Sequence, residues 1–348
     1  MKQFTALVLA AALFVLTLAV CDTGGGSGGS LLYAAGYYID GSYAFPCYWK
    51  DGTQYNLPLP AGAVSGSVDA IAILGGSAYM AGVYNNGSAF VPCYWKDGTR
   101  HDLSLPAGFA NGYALSAATG GAVSLAGYCE KADGTNAVCS WNAAGTVTQN
   151  AVLTVPAGAT LRYVRAAAAE GTSIYAAGTY RKADNTDVTC YWKDGTRYDL
   201  DEGTLDGAWS IAVSGGVVYV AGHYDNSGTD TGCYWKDNGT VEKTGFSGAG
   251  FAEFITVSGG VVYAAGSNSS AVPCYWKDGT RYDLPLPAGA LVGYASVAAA
   301  SGGVVYAAGA YNDGAATVPC YWKDGTRYDL PLPAGITDGC VRSIAVVE

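Results

Sequence analysis

Short apolar segments alternate with glycine-containing turns along most of the chain, which is the pattern of β-strands joined in hairpins. Within 208–246, a short, mainly apolar segment occupies 209–213, Ser-Gly-Gly follows at 214–216, and a segment rich in valine occupies 217–222. Paired glycines make tight turns without strain, and segments rich in valine favour extended structure. A polar loop then leads into Cys-Tyr-Trp at 233–235. The pattern predicts short antiparallel strands throughout this stretch.

The tetrapeptide Cys-Tyr-Trp-Lys, usually followed by Asp-Gly, recurs along the chain, with an altered copy, Cys-Ser-Trp, at 139–141. Consecutive copies begin 41–51 residues apart. A period in this range indicates one small β unit that has been copied and stacked, and Asp-Gly between apolar segments is a strong hairpin signal. The copies begin at Cys47, Cys93, Cys139, Cys190, Cys233, Cys274 and Cys320.

The two ends of the chain complement each other. The first unit begins at 31–36 with the pattern of a second strand, whereas 342–347 has the pattern of a first strand with no second strand after it. We therefore predict an all-β fold, a seven-bladed β-propeller closed by pairing of the C-terminal strand with the first blade. The blades are predicted at 31–57 with 341–348, 67–103, 112–153, 161–200, 208–246, 251–284 and 293–330.

The first thirty residues predict export and lipid attachment. The apolar segment 5–20 suits a secretory signal and is short for a transmembrane helix. It ends in Leu-Ala-Val before Cys21, which is similar to the lipobox of bacterial lipoproteins, although Val20 departs from the small residue usual there. We expect a signal peptide at 1–20, a lipidated Cys21, and a Gly/Ser tether within 21–30 that leaves the protein membrane-anchored at the bacterial cell envelope. An ordinary cleaved signal peptide is the alternative.

The charge of the chain excludes one class of partner. Its net charge is -10, so nucleic-acid phosphates would be repelled, and we expect no nucleic-acid partner. Two histidines and no Cys-x-x-Cys motif give little basis for a metal site, and no nucleophile with a base partner is visible. We expect no cofactor, no metal and no catalytic residue, in a monomeric domain.

The repeated tryptophans and cysteines are predicted to be structural. A tryptophan stands two residues after each repeat cysteine, and we expect these rings to pack between neighbouring blades. Repeat cysteines related by rotation would lie too far apart for disulfides. Cys129 and Cys139 flank the loop 130–138, and the sequence leaves open whether they form a disulfide across this hairpin.

Variation among the copies is concentrated in the loops between second and third strands, which include 181–189 and 225–232. The other turns of each unit are short and uniform, so recognition is expected on the variable face. The candidate ligand-binding residues are the tyrosines that begin these loops and two acidic residues, namely Tyr38, Tyr84, Tyr180, Tyr224, Tyr311, Asp225 and Asp230. The alternative is that the tyrosines only cap strand ends.

The segments 217–222 and 233–236 resemble the units of bacterial exported repeat proteins, which have Val-Tyr-Val-Ala-Gly, a loop, and Tyr-Trp-Lys-Asn/Asp-Gly. The resemblance covers 31–348 and implies a propeller and export, without implying a reaction. We interpret the chain as a non-enzymatic envelope lipoprotein that binds a protein or glycan through its variable loops. The alternatives are a carbohydrate-active enzyme, either a glycosidase or a lyase, and a structural subunit of an envelope assembly.

Overall fold

Antiparallel β-strands form the regular structure in the residues that the computed structural model describes, which are 31–119, 122–202, 207–225, 230–248 and 250–347. The all-β prediction is thus confirmed. The predicted signal peptide, Cys21 and the whole tether lie outside these residues. Within the described ranges, no helix is long and apolar enough to cross a membrane.

The strands follow one another closely along the chain. They are β1 (Leu31–Asp40), β2 (Tyr43–Lys50), β3 (Thr53–Asn56), β4 (Ser65–Leu74), β5 (Ser77–Asn85), β6 (Phe90–Lys96), β7 (Thr99–Asp102), β8 (Asn111–Thr119), β9 (Val123–Glu130), β10 (Asn136–Asn142), β11 (Val147–Val152), β12 (Thr160–Glu170), β13 (Ser173–Arg181), β14 (Asp187–Lys193), β15 (Thr196–Glu202), β16 (Ala208–Ser214), β17 (Val217–Asp225), β18 (Asp230–Asp237), β19 (Val241–Gly245), β20 (Gly250–Ser258), β21 (Val261–Asn268), β22 (Pro273–Lys277), β23 (Thr280–Asp283), β24 (Val292–Ser301), β25 (Val304–Asn312), β26 (Thr317–Lys323), β27 (Thr326–Asp329) and β28 (Asp338–Val347).

Four-stranded meanders are the repeating element of the fold. Five sheets each contain four consecutive strands, namely β4–β7, β8–β11, β12–β15, β16–β19 and β20–β23. A larger sheet contains the run β24–β27 and the run β28-β1-β2-β3, joined through the residue pair Thr317 and Asp338. Within it, β28 pairs antiparallel with β1 from Leu31 opposite Val347 to Ile39 opposite Asp338. The last strand therefore completes the run formed by the first three.

The first strand of each run packs against the first strands of its neighbours, and we call these seven the innermost strands. Taken in order, they are β4, β8, β12, β16, β20, β24 and β28, and β28 in turn packs against β4. Cross-run hydrogen bonds support this packing. The Ser343 hydroxyl accepts from the Ile71 backbone N–H, and the Ser210 hydroxyl accepts from the Ile255 N–H at the equivalent place.

The repeated Lys-Asp-Gly turn has two structural functions. Its aspartate and glycine both adopt positive φ, for example 47° at Asp278 and 82° at Gly279, as a two-residue hairpin turn requires. The aspartate side chain also accepts a hydrogen bond from the N–H near the start of the second strand, as Asp278 does from Val262 at 2.9 Å. Four other copies make the same contact through Asp51, Asp97, Asp194 and Asp324.

The seven repeat tryptophans are buried, in agreement with the structural interpretation of the repeat. Most indole N–H groups donate to a carbonyl just beyond the outermost strand of the preceding run, as Trp322 does to Pro285 at 2.9 Å. Trp49 makes this contact with Pro331, at 2.7 Å, between the two ends of the chain. The equivalent bonds join Trp95 to Pro58, Trp141 to Ser104, Trp192 to Thr154 and Trp276 to Ser247.

The cysteines in the described residues are free and buried. A disulfide between Cys129 and Cys139, which the sequence leaves open, is not formed. Cys129 lies opposite Ala137 and Cys139 lies opposite Gly127, so the two are diagonal neighbours across β9 and β10. The neighbouring Cys139 thiol, with burial, raises the pKa of the Cys129 thiol. The pair is therefore two neighbouring free thiols in the core.

Candidate functional site

A β-bulge interrupts each innermost strand at the same place. One residue of the innermost strand has no partner there. It directly follows the residue that pairs with the glycine of Ala-Gly in the second strand. A Cβ on that glycine would lie on the carbonyl oxygen of the innermost strand, so only glycine fits. The skipped residues are Asp69, Leu115, Arg165, Trp209, Glu253, Ser296 and Arg342, which we call the axial ring.

Charged members of the axial ring interact electrostatically across the strands that separate them. Glu253 on β20 interacts with Arg165 on β12, although β16 lies between these strands. Glu253 also interacts with Arg342 on β28, from which β24 separates it. Such interactions between non-neighbouring innermost strands fit side chains that point towards a common axis. The bulge supplies this direction, because it turns one side chain out of the pleat.

The axial ring carries alternating charge. In ring order its charged members are Asp69, Arg165, Glu253 and Arg342, with one uncharged residue between each neighbouring pair except Arg342 and Asp69. Leu115 and Ser296 are buried, whereas the four charged residues and Trp209 keep some exposed surface. No two of these charged groups approach within the 4 Å of an ion pair in the described part of the chain. The charged side chains of the ring therefore do not neutralise one another in close ion pairs.

The two axial carboxyl groups are poorly solvated. Burial raises the pKa of Asp69 to about 7, against the opposing effects of Arg342 and of the Ser67 hydroxyl, which lies 3.4 Å from both carboxylate oxygens. Burial also raises the pKa of Glu253, and Arg342 and Arg165 oppose that shift. Both groups are thus nearer to protonation at neutral pH than surface carboxylates are.

Arg165 stands in an aromatic environment without a carboxylate partner. Its guanidinium carbon lies 4.0 Å from the ring centroid of Trp209 and 4.7 Å from that of Tyr163. The Trp209 indole N–H donates to Nδ1 of His223 at 3.0 Å. The Nε atom of Arg165 is buried and has no hydrogen-bond partner among the described residues. Burial lowers the pKa of Arg165, as expected for a cation without a close counterion.

A second layer of variable residues lies next to the axial ring, towards the loops that join second and third strands. It is formed by the residue two positions before each axial-ring residue and by the residue that follows each Ala-Gly glycine. Half of the residues in this layer, which we call the collar, are aromatic. Tyr113 and Tyr128 stack with ring centroids 4.6 Å apart, and the Arg342 guanidinium lies 5.4 Å from the Tyr37 ring. The other aromatic members are Tyr163, His223, Phe251 and Tyr294.

The tyrosines predicted to bind a ligand are largely used inside the sheets. Tyr84, Tyr180 and Tyr311 are 6%, 1% and 6% exposed. Their hydroxyls each donate at 3.2 Å to an aspartate of the outermost strand, and an arginine packs on each ring. Tyr38 stacks on Phe45, and Lys243 lies 4.2 Å from the Tyr224 ring. These contacts fit the strand-capping alternative and leave little of the three buried rings for a ligand.

The predicted acidic candidates lie at the edge of what the structure describes. Asp225 and Asp230 pair across the end of β17 and β18. The loop between them, 226–229, lies outside the described residues, as do the side chains of both aspartates, so their part in binding stays a prediction. In the described ranges, no group of three or more His, Cys, Asp or Glu side chains is placed to hold a metal ion.

The variable loop 181–189 is held by a buried carboxylate. Asp187 is buried and accepts two hydrogen bonds from Arg181, at 2.7 and 2.8 Å, and one from Arg162 at 2.5 Å. The hydrogen bonds from Arg181 are the main cause that lowers the pKa of Asp187. This arrangement is a structural anchor for the loop.

Replacing Asp187 with asparagine should therefore destabilise the protein. We expect D187N to lower the free energy of unfolding by about 1–3 kcal/mol at neutral pH, because two partly exposed arginines lose their shared counterion. Since the pKa of Asp187 is lowered by folding, its contribution is present above the unfolded pKa and is lost as pH falls through the folded pKa. Urea unfolding at neutral pH and at about pH 3 measures both effects. The exposed pair of Asp201 and Lys243 gives the control, D201N, with a change under about 1 kcal/mol.

The sequence analysis missed the axial ring, although a signal for it exists. In the six units whose first strand precedes the second in the chain, the bulge residue stands 12 or 13 positions before the Ala-Gly glycine. Aligned on that glycine, this column contains Asp69, Arg165 and Glu253 within otherwise apolar strands. A charged residue in a strand that is predicted to be buried is informative, because such residues are rarely buried without a function or a partner.

Comparison with solved structures identifies the fold. The propeller domain of the trilobed protease from Pyrococcus furiosus, which has an open velcro topology, superposes with a TM-score of 0.51 at 10% identity over 86% of this chain and 97% of that one. An apocarotenoid oxygenase from Synechocystis gives 0.53 at 12% identity, over 91% and 92%. An acylaminoacyl peptidase from Pyrococcus horikoshii gives 0.50 at 12% identity, over 88% and 51%.

No protein-family model matches the sequence, and no curated protein does either. The similar structures come from a protease, a peptidase and an oxygenase, and their identities are too low to carry an activity across. The meanders, their common axis and these superpositions lead to one conclusion: the chain has the β-propeller fold.

Proposed function

We propose that the protein is a lipid-anchored binding protein of the bacterial cell envelope, and that its ligand binds at the mouth of the axial ring. The observation that carries this proposal is the contrast between framework and ring. The turns, tryptophans and Ala-Gly glycines are repeated in nearly every unit, whereas the axial ring contains two acids, two bases, a tryptophan, a leucine and a serine. Repeated units that share a framework, but carry different side chains at the one place where those side chains converge, are typical of a protein with a binding site there.

The proposed ring has seven blades and is closed. Three observations support this arrangement: β28 pairs with β1, Trp49 bonds to Pro331 as the other tryptophans bond to their preceding runs, and β28 packs against β4. In a closed ring every innermost strand has two neighbours, so the charged side chains gather around one axis. In this arrangement the variable loops would surround the same opening, with the collar between them and the axial ring.

A carbohydrate-active enzyme is the second candidate, and the axial carboxyl groups favour it. A carboxyl with a pKa near neutrality suits a general acid, and Asp69 has one. However, Asp69 and Glu253 each interact with Arg342 and not detectably with each other. Their electrostatics therefore do not resemble an acid–base pair in which one carboxylate raises the pKa of its partner, and binding remains our first proposal.

A paired screen tests binding against catalysis. The protein is presented to a glycan array and to envelope extracts beside the double variant D69N/E253Q and a variant in which only the loop tip 182–186 is replaced, so that Arg181 and Asp187 are kept. We expect capture that the axial double variant loses and the loop variant retains. Glycan cleavage products detected by mass spectrometry would replace the binding proposal with the enzyme. Capture of a protein partner that neither variant weakens would favour the structural subunit.

Lipid attachment at Cys21 is tested separately from binding. We expect C21S, produced in a bacterial host, to move from the membrane fraction to the soluble fraction, because the thioether that carries the lipid cannot form. The control is C129S, which removes a buried thiol and leaves the predicted lipobox intact. Fractionation and mass spectrometry of the mature N-terminus measure the result. A C21S protein that stays membrane-bound would contradict lipid anchoring at this residue.

A further inference from the structure

We propose that Arg165 binds the carboxylate group of a small anionic ligand, which enters the axial ring beside Gly207. This inference rests on the proposed function, because it names the chemical class of ligand for the same site. Three independent features of Arg165 lead to it: its missing counterion, its aromatic packing and the space next to it.

The missing counterion sets Arg165 apart from most other arginines of the chain. Six of the eight arginines have an aspartate within 4 Å. The exceptions are Arg165 and Arg342. Arg342 interacts with both axial carboxyl groups and lies 3.5 Å from the Tyr37 hydroxyl. Arg165 has Glu253 only at longer range, and its buried Nε lacks any partner. A buried donor without a partner is costly, and a ligand oxygen would remove that cost.

The aromatic packing leaves the polar edge of the guanidinium for recognition. Trp209 and Tyr163 pack on Arg165 and hold it in place, so that little side-chain entropy would be lost when a ligand binds. A guanidinium presents its N–H groups as a planar fork that matches the two oxygens of a carboxylate. The orphan Nε is one prong of that fork.

The collar lacks a side chain next to this fork. Six innermost strands carry a side chain two residues before the bulge, whereas β16 is preceded there by Gly207. A Cβ placed on Gly207 would lie 3.6 Å from Nε1 of Trp209, 3.7 Å from Oγ1 of Thr179 and 3.8 Å from Nε of Arg165, which is ordinary van der Waals contact. The absent side chain thus leaves a methyl-sized space beside Arg165, and a ligand oxygen must displace the atoms that now cover the orphan Nε.

The charges of the ring favour a carboxylate over a phosphate. The formal charges of the ring cancel, since it contains two acids and two bases. Arg342 already interacts electrostatically with both carboxyl groups, those of Asp69 and Glu253. A phosphate dianion would meet one unpaired guanidinium and the field of Glu253, whereas a carboxylate needs only one fork. The surrounding tyrosines and Phe251 suit a flat or partly apolar ligand body.

Matched ligands of one shape test the inference on the full-length protein. Benzoate is titrated calorimetrically beside benzamide, its neutral isostere, and phenyl phosphate. We expect benzoate to bind and benzamide to bind at least about 10-fold more weakly, because a charge-assisted fork is lost. R165Q should weaken benzoate binding by roughly 10- to 100-fold, and R165K by less, since it keeps the charge without the fork. R100Q, which removes a partly exposed arginine of an outermost strand, is the control and should leave benzoate binding unchanged.

Each outcome bears on the inference. Thermal unfolding checks that R165Q is folded, and R165K provides a second variant if it is not. Benzoate that fails to bind, or that binds R165Q as tightly as the wild type, overturns the inference, as does tighter binding of phenyl phosphate. A neutral envelope ligand that depends on the axial ring would also overturn it while the proposed function stands. Arg165-dependent benzoate binding without any axial envelope ligand would contradict the proposed function and leave the inference intact.

Discussion

Deleting residues 341–348 should abolish the cooperative unfolding transition of the protein and lead to aggregation. The deletion removes most of β28, including Val341, Ile344 and Val346, which are buried against β1, β4 and β24. It also exposes the edge of β1, which then has unpaired N–H and C=O groups. In an open ring the remaining innermost strands would lose the neighbour that holds them around the axis.

Calorimetry and size-exclusion chromatography measure this result. The control is a circular permutant in which residues 338–347 precede Leu31 through a Gly-Gly turn. This connection is feasible because Val347 lies opposite Leu31, as Ser258 lies opposite Val261 across a natural two-glycine turn. We expect the permutant to fold. A truncated protein with an unchanged transition, or a permutant that is as unstable as the truncation, would contradict the closed ring.

Replacing a repeat tryptophan with alanine should have the second largest effect. Trp322 is fully buried, so W322A should lower the free energy of unfolding by about 3–5 kcal/mol, through the cavity and the lost burial. The matched control is W209A, because Trp209 is the one tryptophan outside the repeat and is partly exposed. Its effect on stability should be clearly smaller. Equal losses for the two variants would show that the repeat position is not special.

The indole hydrogen bond can be separated from the packing. W322F keeps most of the apolar volume but leaves the Pro285 carbonyl without its donor, so it should cost about 1 kcal/mol more than W235F. Trp235 is suited to this comparison because its indole N–H has no partner in the described ranges. Chemical unfolding of the two variants in parallel gives the difference.

The meanders and their turns could be predicted from sequence because their signals are local. Asp-Gly and Ser-Gly-Gly determine hairpins by the backbone angles they allow, and the repeated tryptophan marks a packing position whatever the register. Pairing of the terminal strand with β1 follows the same local patterns. The predicted strand at 341–348 is shorter than β28, which begins at Asp338. The bulge at Arg342 interrupts the regular strand pattern in the sequence, whereas the pairing with β1 continues on both sides of it.

The site could not be predicted in the same way because it depends on register. In a strand, successive side chains point to opposite faces, so an error of one residue moves a side chain to the other face. The prediction chose Tyr38, whereas its neighbour Tyr37 is the residue that meets Arg342. Arg165 is harder still to predict from the sequence, since the absence of a carboxylate partner is a property of its whole surroundings.

The bulge separates what a unit needs for folding from what it presents to the axis. The bulge residue is skipped by the strand ladder, so its side chain can change while the pairing of its neighbours is retained. A unit can therefore be duplicated as an intact folding module and afterwards acquire a new axial side chain by a single substitution. Its seven axial positions can therefore vary independently of the scaffold, so the specificity of the proposed binding site can evolve, or be engineered, by substitutions at these positions alone.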